Sequence, residues 1–217
     1  MNAVSAVRDV LLYAGTSWVL WLLGVLSVAS FVVIVERWLF YRSRRGDLPQ
    51  LAHMLDERLS ADEVEDAIRE LGATQSVAAS IAGAGLRLAH RSPGAVDKAM
   101  QSATALERDR LERRLSFLGT LGNNAPFVGL FGTVVGVVHA FASLHETATQ
   151  HGMHSGMSSA LMGSVSEALV STAVGILVAL PAVFAYNYFQ REATSLLSGS
   201  DVLSNLVLAY LADDKGA

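Results

Sequence analysis

Two carboxylates and a scatter of hydroxyls stand in a long stretch otherwise free of charge, and these are the residues that could do chemistry. From Leu115 to Gln190 there is no lysine or arginine, and the acids are Glu146 and Glu167. Placed on a helix at about 100° per residue, Glu167, Ser171 and Gly175 are neighbours. Ala168, Thr172, Ala179 and Ala182 continue the same arc, which is about 140° wide. Leu169, Val170, Ile176, Leu177, Leu180 and Val183 make the opposite side. A carboxylate at or in a bilayer is costly and marks a functional candidate by default, its chemistry being proton or cation handling. Glu167 reads two ways. It snorkels to the outer surface, lying about one turn inside its segment, or it faces a central cavity.

Upstream, Gly129, Gly132, Thr133, Gly136, Ala140 and Ser143 recur at spacings of three and four. They form one small-residue stripe, which in lipid lets helices approach closely. Thr133 is the only hydroxyl in the deep part of that stripe. It either bonds its own backbone carbonyl or lines a path. His139 reads as a packing residue. His145, His151 and His154 lie near Glu146 in a polar link, where their spacing matches no compact metal motif, so a solvated loop is the expectation. No metal site or cofactor is expected.

These residues need helices to position them. The chain has 217 residues, 52% of them hydrophobic. Three apolar segments each approach or exceed the ~20 residues that cross a bilayer. The expected fold is an all-α integral membrane protein with three transmembrane helices and long cytoplasmic helical extensions. The expected boundaries are an interfacial or extracytoplasmic helix at 1–16, or a helical lead-in, then spans at 17–40, 123–147 and 164–190. A cytoplasmic helical domain at 41–122, a periplasmic loop at 148–163 and a cytoplasmic C-terminal helix at 191–217 complete the chain. Trp18, Trp21 and Trp38 mark the ends of the first span as an aromatic belt. Arg42, Arg44 and Arg45 follow it, and Arg108, Arg110, Arg113 and Arg114 precede the second. The positive-inside rule then puts the N-terminus outside and the C-terminus inside. Pro126 and Pro181 are expected to bend their helices, and Asn123-Asn124 suits an interfacial break.

Between Arg42 and Arg114 basic and acidic residues balance at 12 each. This argues against a nucleic-acid surface. Ser60-Ala-Asp-Glu63 fits a capping box opening a helix to about Leu71, with Gly72 as its stop. Further helices are expected over about Gln75–His90 and from Pro93, with Ser92 as N-cap, to about Leu118. The RDRLERR run at 108–114 reads as a solvated, salt-bridged face. There are no cysteines, which excludes a disulfide framework and thiolate metal sites. No signal-peptide pattern, phosphate loop, nucleophile elbow or HExxH occurs, so no enzyme is expected.

Two stretches carry a family resemblance. APFVGLFGTVVG at 125–136 closely resembles the second-span signature of the ExbB/TolQ/MotA proton-channel family. EALVSTAVG at 167–175, followed by Leu180-Pro181-Ala182 and Tyr186-Asn187, resembles the third-span signature of its ExbB and TolQ branch. The four-span MotA branch fits less well. The resemblance implies a pentameric homo-oligomer in the inner membrane of Gram-negative bacteria. That ring surrounds two single-span helices of an ExbD- or TolR-like partner, whose Asp takes the proton. It implies that proton flow drives relative movement, and that force reaches a TonB- or TolA-like protein or a gliding apparatus. By position, Thr133 and Thr172 match the pore-facing threonines and Glu167 the third-span glutamate, while Gly129, Gly132, Gly136 and Gly175 serve packing on the residue reading. Competing readings are a non-conducting oligomeric scaffold and a stand-alone channel.

Overall fold

The structure, a computed structural model, describes residues 17–151 and 156–214, and side chains within 17–142 and 162–212. The described residues form seven helices and no strand: α1 Ser17–Arg44, α2 Leu48–Ser60, α3 Val64–Ala73, α4 Val77–Leu86, α5 Pro93–Glu112, α6 Leu115–His151 and α7 Gly156–Asp214. The segments holding α1, α6 and α7 are long and apolar enough to cross a membrane. A helix satisfies its backbone polar groups internally, which lipid requires.

The chain divides into two compact units. The first comprises residues up to Ile34 and Ser116–Tyr186. Its core draws Val19 and Leu23 from α1, Leu121 and Ala125 from α6, and Val178, Ala179 and Ala182 from α7. Three of these seven are alanines, whose small side chains let the helices approach closely. The large side chains face outward, with Trp21 78% exposed, Phe127 67% and Phe184 76%.

The second unit comprises Val35–Leu115 and the residues from Asn187 onward. Here α2 buries Leu51, Leu55 and Leu59 at every fourth position. Asp47 caps it, accepting from Gln50 N at 3.3 Å, with proline in the first turn. α4 is buried on nearly all sides, and Ser76 caps it by accepting from Ala79 N at 3.0 Å. At ten residues α4 is a buried soluble-type helix, too short for a span.

Several boundaries differ from those expected. The capping box does not form. Ser60 ends α2, Asp62 takes a φ of 61°, and α3 starts after Glu63, whose side chain makes no capping bond. α3 runs through Gly72 to Ala73, and the Thr74 N–H closes it on Leu71 O at 3.2 Å. α4 is shorter than Gln75–His90, while α5 opens as expected with Ser92 at its N-cap and Pro93 in its first turn, the Ser92 side chain making no capping bond. α5 ends at Glu112, and the interruption falls at Arg113–Arg114, where Arg114 has a φ of 66°. Asn123-Asn124 therefore marks no break. Asn124 Nδ2 donates to Thr120 O at 2.7 Å inside an unbroken α6. Pro126 and Pro181 both lie within continuous helices. The 148–163 link is helical to His151 and again from Gly156, and residues 191–214 continue α7. Residues 1–16, His154 and the side chains of His145 and His151 lie outside the described set.

The 108–114 run is the solvated, salt-bridged face expected, with Arg108, Asp109, Arg110, Arg113 and Arg114 exposed and Arg110 and Arg114 in ion pairs. Glu107, one residue before it, is 2% exposed. Its Oε1 accepts from Arg110 Nη1 at 2.6 Å and Ser80 Oγ at 3.2 Å. Arg37 is 4% exposed and donates to Arg110 O at 3.2 Å.

Candidate functional site

The site is the seam where α6 meets α7 in the first unit, and glycines make it. A Cβ on Gly129 would lie 2.6 Å from Ser171 O and 3.1 Å from Gly175 Cα. A Cβ on Gly175 would lie 2.7 Å from Ala125 O. These are backbone atoms and cannot swing aside. Next along, a Cβ on Gly132 would meet Ser171 Cβ at 2.8 Å and Val19 Cγ1 at 3.1 Å, which brings α1 into the same contact. Gly136 is buried. The seam also extends below the expected start of the span. A Cβ on Gly122 would run into Val183 Cγ2, and one on Gly119 would lie 3.1 Å from the Tyr186 ring. Sequence reasoning misses these two glycines as site residues, and it places Ser171 on the polar arc without foreseeing its burial. The i, i+3 spacing of Gly119 and Gly122 is the signal that could have found them.

Along α7 the buried positions in this unit are Ala168, Ser171, Gly175, Val178, Ala179, Ala182 and Ala185, spaced mostly three and four apart. The middle of the small polar arc is thus consumed by the hairpin's own seam. Ser171 is completely buried. Thr172 and Glu167 fall at the two edges of the arc, about 140° apart, with Ser171 between them. Glu167 is exposed and Thr172 half-buried. Thr133 is half-buried, one residue beyond Gly132. In antiparallel right-handed helices, the residues that follow a contacting pair turn toward the same side. Gly132 meets Ser171, so Thr133 and Thr172 flank the seam on one side at similar depth.

The two threonines differ in hydrogen bonding. Thr133 Oγ1 donates to Leu130 O at 2.6 Å. Thr194 and Ser200 on α7 likewise donate back, to Gln190 O and Leu197 O. Ser171 Oγ and Thr172 Oγ1 are buried with no hydrogen-bond partner among the described residues. Such hydroxyls cost free energy unless something pairs with them. The half-buried Thr133 can offer its hydroxyl oxygen to a polar group passing beside the seam, whereas the buried Ser171 and Thr172 hydroxyls reach such a group only by rotating outward. Among the described residues no cluster of three or more His, Cys, Asp or Glu could hold a metal ion.

Comparisons with known proteins agree with this architecture. A family model described as the MotA/TolQ/ExbB proton channel family matches residues 73–200. The chain is 30% identical over 207 residues to the biopolymer transport protein ExbB of Neisseria meningitidis serogroup B, covering 89% of this chain and 90% of that one. It is 38% identical over 110 residues to ExbB of Xanthomonas campestris, covering 51% of this chain but only 41% of that one. It is 39% identical over 102 residues to the Tol-Pal system protein TolQ of Pseudomonas aeruginosa, covering 47% of this chain and 42% of that one.

Proposed function

Because the chain belongs to the MotA/TolQ/ExbB proton channel family, we propose that it is a stator subunit that assembles as a ring, of five copies by family resemblance. The ring encloses a single-span partner of the ExbD or TolR kind. Proton flow between ring and partner is converted to work on the cell envelope through a TonB- or TolA-like protein or a gliding apparatus. The chain would sit in a bacterial inner membrane with its N-terminus periplasmic and its C-terminus cytoplasmic, the orientation its arginine clusters favour.

The observation that carries this reading is the pairing of Thr133 and Thr172 on one side of the Gly132–Ser171 contact, with the Thr172 hydroxyl buried and unmatched. Each elementary charge moved across the membrane gains about 2.3 kcal/mol per 100 mV. A path for it needs polar groups that can hydrogen-bond without holding the proton too tightly. Hydroxyls meet that requirement, and the carrier is then an acid on the partner. Glu167, at the far edge of the arc, influences the mouth rather than carrying the proton. Gly129, Gly132, Gly136 and Gly175 hold the wall together.

The test is proton flux in vesicles containing the chain with its partner. Thr172→Val should lower flux by roughly tenfold, a barrier increase of about 1.4 kcal/mol, and Thr172→Ser should retain it. Thr133→Val should cost less, because the Thr133 hydrogen is already committed to Leu130 O. Unchanged flux in the Thr133→Val, Thr172→Val double variant would remove the pore role and leave the scaffold reading. Flux without any partner would favour a stand-alone channel.

A further inference from the structure

The three arginines that follow the first apolar segment do different things. Arg44 turns toward Glu107, with Nη1 3.7 Å from Oε2, and lies 5.3 Å from the Phe40 ring centroid. Arg45 donates from Nε to Glu192 Oε1 at 2.6 Å and from Nη2 to Tyr188 Oη at 3.3 Å. The Glu192 hydrogen bond and then its charge raise the Arg45 pKa, so this cation is matched. Arg42 has an aromatic face and no acid. Its Cζ lies 5.7 Å from the Trp38 ring centroid, and no carboxylate pairs with it among the described residues.

These side chains enclose a recess of about 60 Å³, lined by Trp38, Tyr41, Arg42, Arg45, Tyr188 and Phe189. Tyr41 and Phe189 stack 5.2 Å apart as its buried floor. Trp38 and Tyr188 form a half-exposed rim, at 50% and 43%. One water needs roughly 10–15 Å³ of such space, so the recess has room for a group the size of a phosphate. On α1 the recess lies where the apolar run gives way to Arg42–Arg45. On α7 it lies where Tyr188-Phe189 gives way to Gln190-Arg191-Glu192. Both helices leave their apolar stretches here, as they would at headgroup depth.

We propose that Arg42, with Trp38 and Tyr188, forms a binding site for the phosphodiester anion of a membrane phospholipid headgroup. Arg45 and Glu192 cancel, so Arg42 leaves one net positive charge for a single negative phosphate. The guanidinium fork matches phosphate oxygens bidentately, which an ammonium does not. The aromatic rim supplies flat apolar faces for the glycerol and the first acyl carbons while keeping polar edges wet. A free phosphate shares the charge chemistry but would leave that rim uncovered. The rival explanation for Arg42 is topology alone, and that requires only a positive charge, which lysine provides equally.

The full-length protein in detergent provides the test, by native mass spectrometry for retained lipid and by thermal shift with short-chain phosphatidylglycerol, phosphatidylcholine or inorganic phosphate. Phosphatidylglycerol should be retained and should raise the melting midpoint. Arg42→Gln should weaken it by about tenfold or more, and Arg42→Lys and Trp38→Leu each by severalfold. Arg191→Gln, which removes an exposed charge outside the recess, should leave binding unchanged. Far-UV circular dichroism confirms that each variant remains folded. Inorganic phosphate acting as strongly as phosphatidylglycerol would overturn the lipid source. Arg42→Lys binding like the original chain, or Arg42→Gln retaining the lipid, would overturn the site. Phosphatidylcholine, which carries the same phosphodiester, should also bind, and failure of both lipids to be retained would overturn the site.

Discussion

At Gly129 the difference between hydrogen and methyl decides whether two helices can touch. A methyl there would fall 2.6 Å from a carbonyl oxygen of α7, and no rotamer change can relieve a backbone clash. Gly129→Ala should therefore lower stability by roughly 1–3 kcal/mol, as overpacking does. Gly24 lies on α1 with nothing within 4 Å of its would-be Cβ. Gly24→Ala should be neutral or slightly stabilising, since alanine is the better helix former by up to about 1 kcal/mol. Tryptophan-fluorescence melts of the two variants in detergent check the contrast, and equal midpoints would show that the Gly129 approach is dispensable. At this scale the small stripe of α6 is legible in the sequence, because glycines at spacings of three and four have few other uses in an apolar helix. The fate of Ser171 is not legible. A helical wheel places Glu167, Ser171 and Thr172 on one polar arc, but it cannot say which part of the arc a neighbouring helix will cover. The contact with Gly132 buries the centre and leaves the edges.

At the scale of elements, the α5–α6 junction shows what periodicity misses. Helix ends are usually sought at glycine, proline or a small polar residue, and Arg113-Arg114 offers none of these. The break is made by partners distant in sequence. The Tyr41 hydroxyl donates to Leu111 O at 3.0 Å in a buried setting, Arg37 donates to Arg110 O at 3.2 Å, and Glu36 pairs with Arg114. Two carbonyls left over by the last turn of α5 are satisfied by side chains of α1, one helical turn apart. This closes α5 and lets the chain take a left-handed residue at Arg114. Helix α2 escapes a sequence reading for the opposite reason. Its signal, Asp47 followed by Pro49, is local and conventional, but it sits directly behind an arginine cluster that reads as a topology marker. The buried junction implies a measurable cost. Tyr41→Phe keeps the ring stack on Phe189 and removes the bond to Leu111 O, so it should destabilise the chain by about 1–3 kcal/mol. Arg114→Gly removes an exposed ion pair worth about 0–1 kcal/mol and relieves left-handed strain of about 1–2 kcal/mol, so it should be neutral or stabilising. Thermal melts of both variants against the parent decide this, and a Tyr41→Phe midpoint equal to the parent's would show that water replaces the lost donor.

For the molecule as a whole, the three spans and the family are legible because apolar length and the two signature stretches are written in consecutive residues. What the chain lacks by itself is a cover for its polar edge. Leu130, Val134, Leu177 and Leu180 are each more than half exposed, and lipid can meet them without cost. Thr133 is different, because a half-buried hydroxyl facing hydrocarbon has only its own backbone to bond. Thr172 has not even that bond. On the ring proposed above, a second copy or a partner helix would supply a polar surface on that side of the hairpin. The chain expressed alone should therefore run in mild detergent as an oligomer, of five copies on the ring reading, with mass measured by light scattering corrected for bound detergent. It should conduct few protons in vesicles. Adding a single-span partner with one membrane acid should raise flux, and changing that acid to its amide should return flux to the level of the ring alone. A monodisperse monomer would contradict the ring. A ring whose flux is indifferent to the partner's acid would show that the two hydroxyls serve packing and that the proton path lies elsewhere.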